Sequence, residues 1–222
     1  MLRMKKLQLK NVMSIAVLLF MAIAFVPCKL QAQVAVGDIL CSDGQILTTS
    51  TYPSSGATAI GVVFYVDGTG QHGWAVALQD AGSFIWGPGN NNSGHDTPLV
   101  NYTNKRQAIY DLDGYQNTQV VRPLYNGNIY QAFHALDFDN GWYLPALGQL
   151  NYLYGNLMEV NEGLATAGGT LFSGQYWSST EYGEKTAWTL DGTGELVAKL
   201  YYRFYNYNPH TYPCNVRGVI NF

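Results

Sequence analysis

The chain has 222 residues, of which 47% are hydrophobic, 14% aromatic and only 12% charged, so it holds ample apolar material for a core and is not intrinsically disordered as a whole. Its formal net charge of −3 averages two unlike parts: Arg3, Lys5, Lys6, Lys10 and Lys29 all precede residue 33, where no acid occurs, and the remainder sets seven Lys and Arg against 15 acids, near −8. That balance argues against a phosphate-binding surface for nucleic acid, which needs clustered cations, and 24 glycines with 17 tyrosines suit a loop-rich, β-containing exported domain.

Residues 1–32 read as a secretory signal peptide. A basic stretch through Lys10 precedes the apolar run Ser14 to Val26, and Pro27 to Gln33 follow it, with Leu30 and Ala32 as the positions a peptidase would read. The run is shorter than the ~20 residues a helix needs to cross a bilayer. Cleavage is expected after Ala32, with no transmembrane segment afterwards, placing the product in the periplasm, at the cell surface or outside the cell. Cys28 offers a lipoprotein alternative, which Pro27 fits poorly.

Two cysteines remain beyond the leader, Cys41 and Cys214. An even count in an exported chain points to a disulfide, here closing a very long loop. Two separate buried thiols are the other reading. Without a third Cys or a Cys-x-x-Cys, neither a thiolate zinc site nor a redox centre has support.

Beyond the leader, residues 33–222 read as one α+β domain. Residues 36–49 form a hairpin, with Val36, Ile39 and Leu40 on one arm, Ile46 and Leu47 on the other, and a turn at Cys41-Ser42-Asp43-Gly44. A second hairpin joins Ile60–Val66 to Trp74–Leu78, whose β-branched and aromatic residues favour strands. Gly82 to Thr103, rich in Gly, Asn, Ser and Pro, reads as a long surface loop. Short helices follow at Thr103–Leu112, with Thr103 as N-cap, and at Asn128–Phe138. The strongest helical signal follows Pro145, where Leu147, Leu150, Leu153, Tyr154, Leu157 and Met158 recur on one face. Strands are expected at Tyr176–Thr180, Ala187–Leu190 and Leu196–Phe204, with Asp191–Gly194 as a turn, and a last strand at Asn215–Ile220. Strands at both ends with helices between them let the termini meet.

Gly141-Trp142-Tyr143-Leu144-Pro145, the helix with Gln149-Leu150-Asn151, Gly168-Gly169, Tyr176-Trp177-Ser178-Ser179-Thr180-Glu181, Ala187-Trp188 and Val216-Arg217 together resemble one bacterial family. It is the Lcl-type C-terminal domain, of unknown function, within the wider C-type-lectin-like fold, and the clearest match covers residues 128–222. The resemblance implies antiparallel sheets with two or more short helices and long loops, N- and C-terminal strands paired with each other, and hence Cys41 brought towards Cys214. It is specific for the fold and not for a ligand.

The motif residues read as structural. Trp142, Trp177 and Trp188 are large core anchors, Leu144-Pro145 sets an extended residue before a helix start, and Ser178, Ser179, Thr180 and Glu181 are suited to satisfying loop backbone. Arg217 is expected to pair with an acid such as Glu181. Calcium-dependent lectins of this fold carry a Glu-Pro-Asn or Gln-Pro-Asp loop and a Trp-Asn-Asp strand, and neither occurs here, so no cofactor is expected. The acids Asp111, Asp113, Asp137 and Asp139 leave a structural calcium as a minor alternative. Neither the histidines His72, His95, His134 and His210 nor any Gly-x-Ser-x-Gly elbow supports catalysis. The ligand-binding candidates are instead Tyr205, Asn206, Tyr207, Asn208, His210 and Tyr212, because tyrosine gives large amphipathic contact area at low entropic cost. Within the wider fold, the phage tropism determinant and the target proteins of diversity-generating retroelements vary a binding patch near their C-terminus, and the Tyr, Asn and His content here is compatible with that. The reading is an exported, non-catalytic protein that binds a glycan or protein ligand at the cell exterior. The alternatives are a secreted enzyme of the formylglycine-generating superfamily, which needs a reactive cysteine site, and a structural subunit of a surface fibre.

Overall fold

The structure, a computed structural model, describes residues 33–87, 97–124, 129–183, 185–200, 202–205 and 208–222. The leader read in residues 1–32 lies outside these, and Val34–Phe222 cluster as one compact unit.

Two hairpins build the first sheet close to where their sequences place them. Strands β1 (Ile39–Cys41) and β2 (Ile46–Leu47) flank a turn in which the Gly44 amide donates to the Cys41 carbonyl at 3.0 Å, with Gly44 at φ +81°. The short helix α1 (Tyr52–Ser55) leads to β3 (Ala59–Val66), and β4 (Gly73–Ala77) returns beside it. The intervening loop is pinned by Asp67, whose carboxylate accepts from the Thr69 and Gly70 amides at 3.0 and 3.1 Å. The last strand of the chain, β12 (Val219–Asn221), completes the antiparallel order β12-β4-β3-β1-β2. The terminal strands therefore share a sheet but do not pair with each other. Both edges of β1 are already taken, by β2 and β3, and β12 finds its partner in β4.

The second sheet collects β5 (Gly82–Phe84), β6 (Tyr176–Gly183), β7 (Thr186–Leu190), β8 (Leu196–Leu200) and β11 (Cys214–Val216) in the order β5-β11-β6-β7-β8. Its pairs are antiparallel except β11 with β6, which run parallel. Strand β5 lies inside the expected long loop: it is only three residues long, begins at a glycine with φ +136°, and its partner lies at the far end of the chain. A separate two-stranded ribbon pairs β9 (Tyr202–Tyr205) with β10 (Asn208–Thr211).

Helices lie against both sheets. The first expected helix shrinks to α2 (Lys105–Ala108), with Asn104 rather than Thr103 as the cap: its side-chain oxygen accepts from the Arg106 amide at 2.8 Å. Helix α3 (Gly114–Val121) has no counterpart in the sequence reading, because Gly, Asn, Thr and Val give it poor intrinsic propensity. Its buried Thr118 and Val121 hold it in place. Helix α4 (Gln131–His134) falls within the second expected helix, and the strong signal after Pro145 divides at Asn156 into α5 (Leu147–Gly155) and α6 (Leu157–Thr166). Leu147, Leu150 and Leu153 are buried as their spacing demands, whereas Met158 is 78% exposed. Gly163 lets α6 touch the first sheet: a Cβ there would sit 2.5 Å from the Gly37 carbonyl oxygen and 2.6 Å from Val62 Cγ1.

Each sheet has its own core. Val62, Phe64, Val76, Tyr143, Leu153, Val160, Leu164 and Val219 pack under the first, and Trp86, Tyr130, Phe133, Leu144, Trp177 and Val216 under the second. The cysteines divide the same way. Cys41 on β1 and Cys214 on β11 are both buried and both free, so the expected disulfide does not form. They pack in different clusters, because the strands that carry them joined different sheets. No helix among the described residues is long and apolar enough to cross a membrane.

Candidate functional site

The motif residues form a polar seam between α3, the start of α5 and β6. Extended residues 142–146 bring the chain into α5, where the Ala146 amide donates to Gln149 Oε1 at 2.9 Å. Gln149 Nε2 donates to Tyr143 Oη at 3.0 Å, and that hydroxyl donates to Asn221 Oδ1 at 2.7 Å, so the helix start is wired to the last strand. Burial pushes the Tyr143 phenol well above its ordinary range. On the other side, the Ser179 amide donates to the Pro145 carbonyl at 2.7 Å and the Leu147 amide to Thr180 Oγ1 at 2.8 Å. Ser178 Oγ donates to the Trp188 carbonyl at 2.8 Å.

Of the three motif tryptophans, Trp177 and Trp188 are buried and give their indole N–H groups to backbone carbonyls of Phe84 and Tyr102, while Trp142 is only partly covered against the same core as Leu144. Arg217 does not pair with Glu181. Its Nε donates to Asp80 Oδ1 at 2.5 Å and its Nη1 to the Thr170 carbonyl at 2.7 Å, with the guanidinium 4.4 Å from the Phe172 ring centre. The loop carrying Asp80 lies between β4 and β5, and its Ala81 amide bonds the Val216 carbonyl at 2.8 Å, which sets Asp80 beside Arg217. Glu181 instead accepts a hydrogen bond from Thr97 Oγ1.

Beside the seam lies a polar cavity of about 70 Å³, lined by Leu99, Tyr102, Asp111, Asp113, Asn117, Ser179 and Glu181 among others. Asp111 is 5% exposed and its oxygens accept three hydrogen bonds: Oδ2 accepts from Thr180 Oγ1 at 2.7 Å and Asn117 Nδ2 at 3.1 Å, and Oδ1 from the Asp113 amide at 3.1 Å. Burial, then the charges of Asp111 and Asp113, push the Tyr102 phenol up. Asp137 and Asp139 sit elsewhere, in the 3-10 turn Phe138–Asn140 and its approach, where Asp137 accepts from Asn140 Nδ2 at 2.7 Å and Asp139 lies 4.0 Å from Arg122. Among the described residues, no group of three or more His, Cys, Asp or Glu side chains is placed to hold a metal. Asn117, which lines this cavity, and Thr97, which bonds its Glu181, carry no motif, and only the folding of α3 and of residues 97–102 against β6 brings them in.

The ligand-binding candidates concentrate on the ribbon. Tyr205 and Asn208 are register partners, as are Arg203 and His210. Tyr212, just after β10, is 36% exposed. Asn206 and Tyr207 lie outside the described residues.

The fold resembles a bacterial fimbrial protein. The crystal structure of a fimbrial protein from Bacteroides ovatus ATCC 8483 superposes with a TM-score of 0.61 at 18% sequence identity, over 85% of this chain and 49% of that one. This chain thus spans about half the length of that fimbrial protein, and at such identity the likeness concerns the fold alone. No family model matches the sequence, and no curated protein does either.

Proposed function

We propose that this chain is an exported, non-catalytic binding module of a bacterial surface fibre. It is built on a C-type-lectin-like scaffold related to the Lcl-type domains, and it contacts a glycan or protein ligand through the β9–β10 ribbon. The observation that carries the reading is the ribbon itself. Its two strands pair with each other and belong to neither five-stranded sheet, and its sequence is dense in Tyr, Asn and His. An element that adds nothing to either sheet ladder is free to serve recognition. The likeness to a fimbrial protein supports the surface-fibre setting. Both ends of the domain lying in one sheet support the lectin-like scaffold. Ser178 and Ser179 are fully buried, with Ser178 Oγ bonded to a backbone carbonyl, which supports a structural rather than nucleophilic use of that motif.

The test is the combined substitution Tyr205→Ala, Tyr207→Ala and Tyr212→Ala. Capture on a glycan array and on host-protein panels should be lost while the melting temperature stays nearly unchanged. Undiminished capture removes the ribbon from the proposal. The same likeness also favours a second reading, a structural subunit of the fibre shaft, which would show as self-assembly in size-exclusion chromatography.

A further inference from the structure

At one end of the first sheet, three aromatic rings gather where no motif marks the sequence. Tyr65 on β3 and Trp74 on β4 are register partners, and their rings stack with centres 4.3 Å apart. Tyr152 leans in from α5, its ring 4.9 Å from Tyr65 and 6.0 Å from Trp74, tilted by 57° and 61°. Tyr152 is 42% exposed, and Tyr65 and Trp74 are half-buried. The row continues to Asn221 on β12, the other register partner of Trp74, which is exposed and whose Oδ1 is occupied by Tyr143 Oη.

The polar ends of these rings set them apart from the core aromatics. Trp86, Trp177 and Trp188 each give the indole N–H to a backbone carbonyl, at 2.6, 2.8 and 2.7 Å. Among the described residues, the Trp74 indole N–H and the Tyr65 and Tyr152 hydroxyls have no protein partner, and none of them is a buried atom. They therefore face water. The four side chains carry no formal charge, in a domain whose net charge is near −8. A ligand matched to this patch is uncharged, offers a flat C–H face to the rings, and carries hydroxyls for the N–H and O–H groups around them. An anion would be repelled by the surrounding domain, and an alkyl chain would leave the polar ends stripped of water and unpaired.

We propose that Tyr65, Trp74 and Tyr152 form a stacking platform for a neutral pyranose residue of a glycan, with Asn221 as a flanking donor. This surface is separate from the β9–β10 ribbon and does not depend on it. The experiment is a titration of the chain with mannohexaose, cellohexaose and maltohexaose, followed by the indole N–H resonance of Trp74, which Trp74→Phe assigns by its disappearance. At least one sugar should shift that resonance saturably at up to about 10 mM, and Tyr152→Ala should weaken the response about tenfold or more. Tyr152 is exposed, so this variant should keep its melting temperature. The response should persist in the ribbon triple variant. The platform is overturned if none of the three sugars moves the Trp74 resonance, or if Tyr152→Ala leaves the affinity unchanged. A response lost in the ribbon variant but kept in Tyr152→Ala would assign the sugar to the ribbon and overturn the platform alone.

Discussion

Asp111 shows how one residue governs the seam beneath the polar cavity. Its carboxylate is the shared acceptor for Thr180, Asn117 and the Asp113 amide. Thr180 in turn accepts from the first amide of α5. Asp111→Ala strands the buried Thr180 hydroxyl and removes an acceptor from the part-buried Asn117 and Asp113 donors, a buried donor costing about 1–3 kcal/mol when unmet. Chemical denaturation should show a loss of about 2–4 kcal/mol, and a loss below about 0.5 kcal/mol would mean water replaces the carboxylate. The sequence marks Ser178 to Glu181 and Arg217 as structural, yet it misassigns the Arg217 partner. Choosing Asp80 over Glu181 depends on which loop lies beside β11, and the pairing of β11 with β5, not local pattern, brings together Arg217 and Asp80, 137 residues apart.

At the level of elements, legibility follows how local the driving force is. Both N-terminal hairpins were readable because a glycine turn and two β-branched arms are contained within about 20 residues. Strand β5 and helix α3 were not, since each is held by distant partners against weak propensity. Gly163 in α6 is a sharper case, because pattern alone would favour alanine. Alanine gains about 1 kcal/mol of helix propensity. Its Cβ, however, would meet the Gly37 carbonyl oxygen at 2.5 Å and Val62 Cγ1 at 2.6 Å, and the carbonyl belongs to backbone that cannot rotate away. Overpacking of this kind costs about 1–3 kcal/mol, so steric conflict outweighs propensity and Gly163→Ala should lower the melting temperature. A variant as stable as the parent would show that α6 can slide on the sheet.

For the whole molecule, the two sheets are joined without a cross-link. Cys41 and Cys214 are held in separate cores, and burial is the main cause that raises both thiol pKa values, with Asp43 adding to the effect at Cys41 and Lys199 opposing it at Cys214. Below the ordinary value of 9.0 both thiols are protonated whether folded or not, so they leave stability unchanged there; above it the unfolded chain ionises first and stability falls. Reductant should therefore leave the melting temperature unaltered at pH 7, and iodoacetamide should label both thiols rapidly only in denaturant. A reductant-sensitive transition would restore the disulfide. The order of strands and helices along the chain gave the α+β class correctly, but not which strands are neighbours.

The chain passes from the second sheet to the first through Arg217 and Gly218 alone, and β12 then occupies an outer edge with β4 as its sheet neighbour. Tension applied through the C-terminus would fall on a three-residue strand held along β4 and, on its other side, by Tyr143 at Val219 alone, whereas tension through the N-terminus would meet β1, paired with a strand on both sides. Pulled from the C-terminus, the domain would lose the paired Phe222–Gly73 hydrogen bonds first and Val219, held by both β4 and Tyr143, last of the strand.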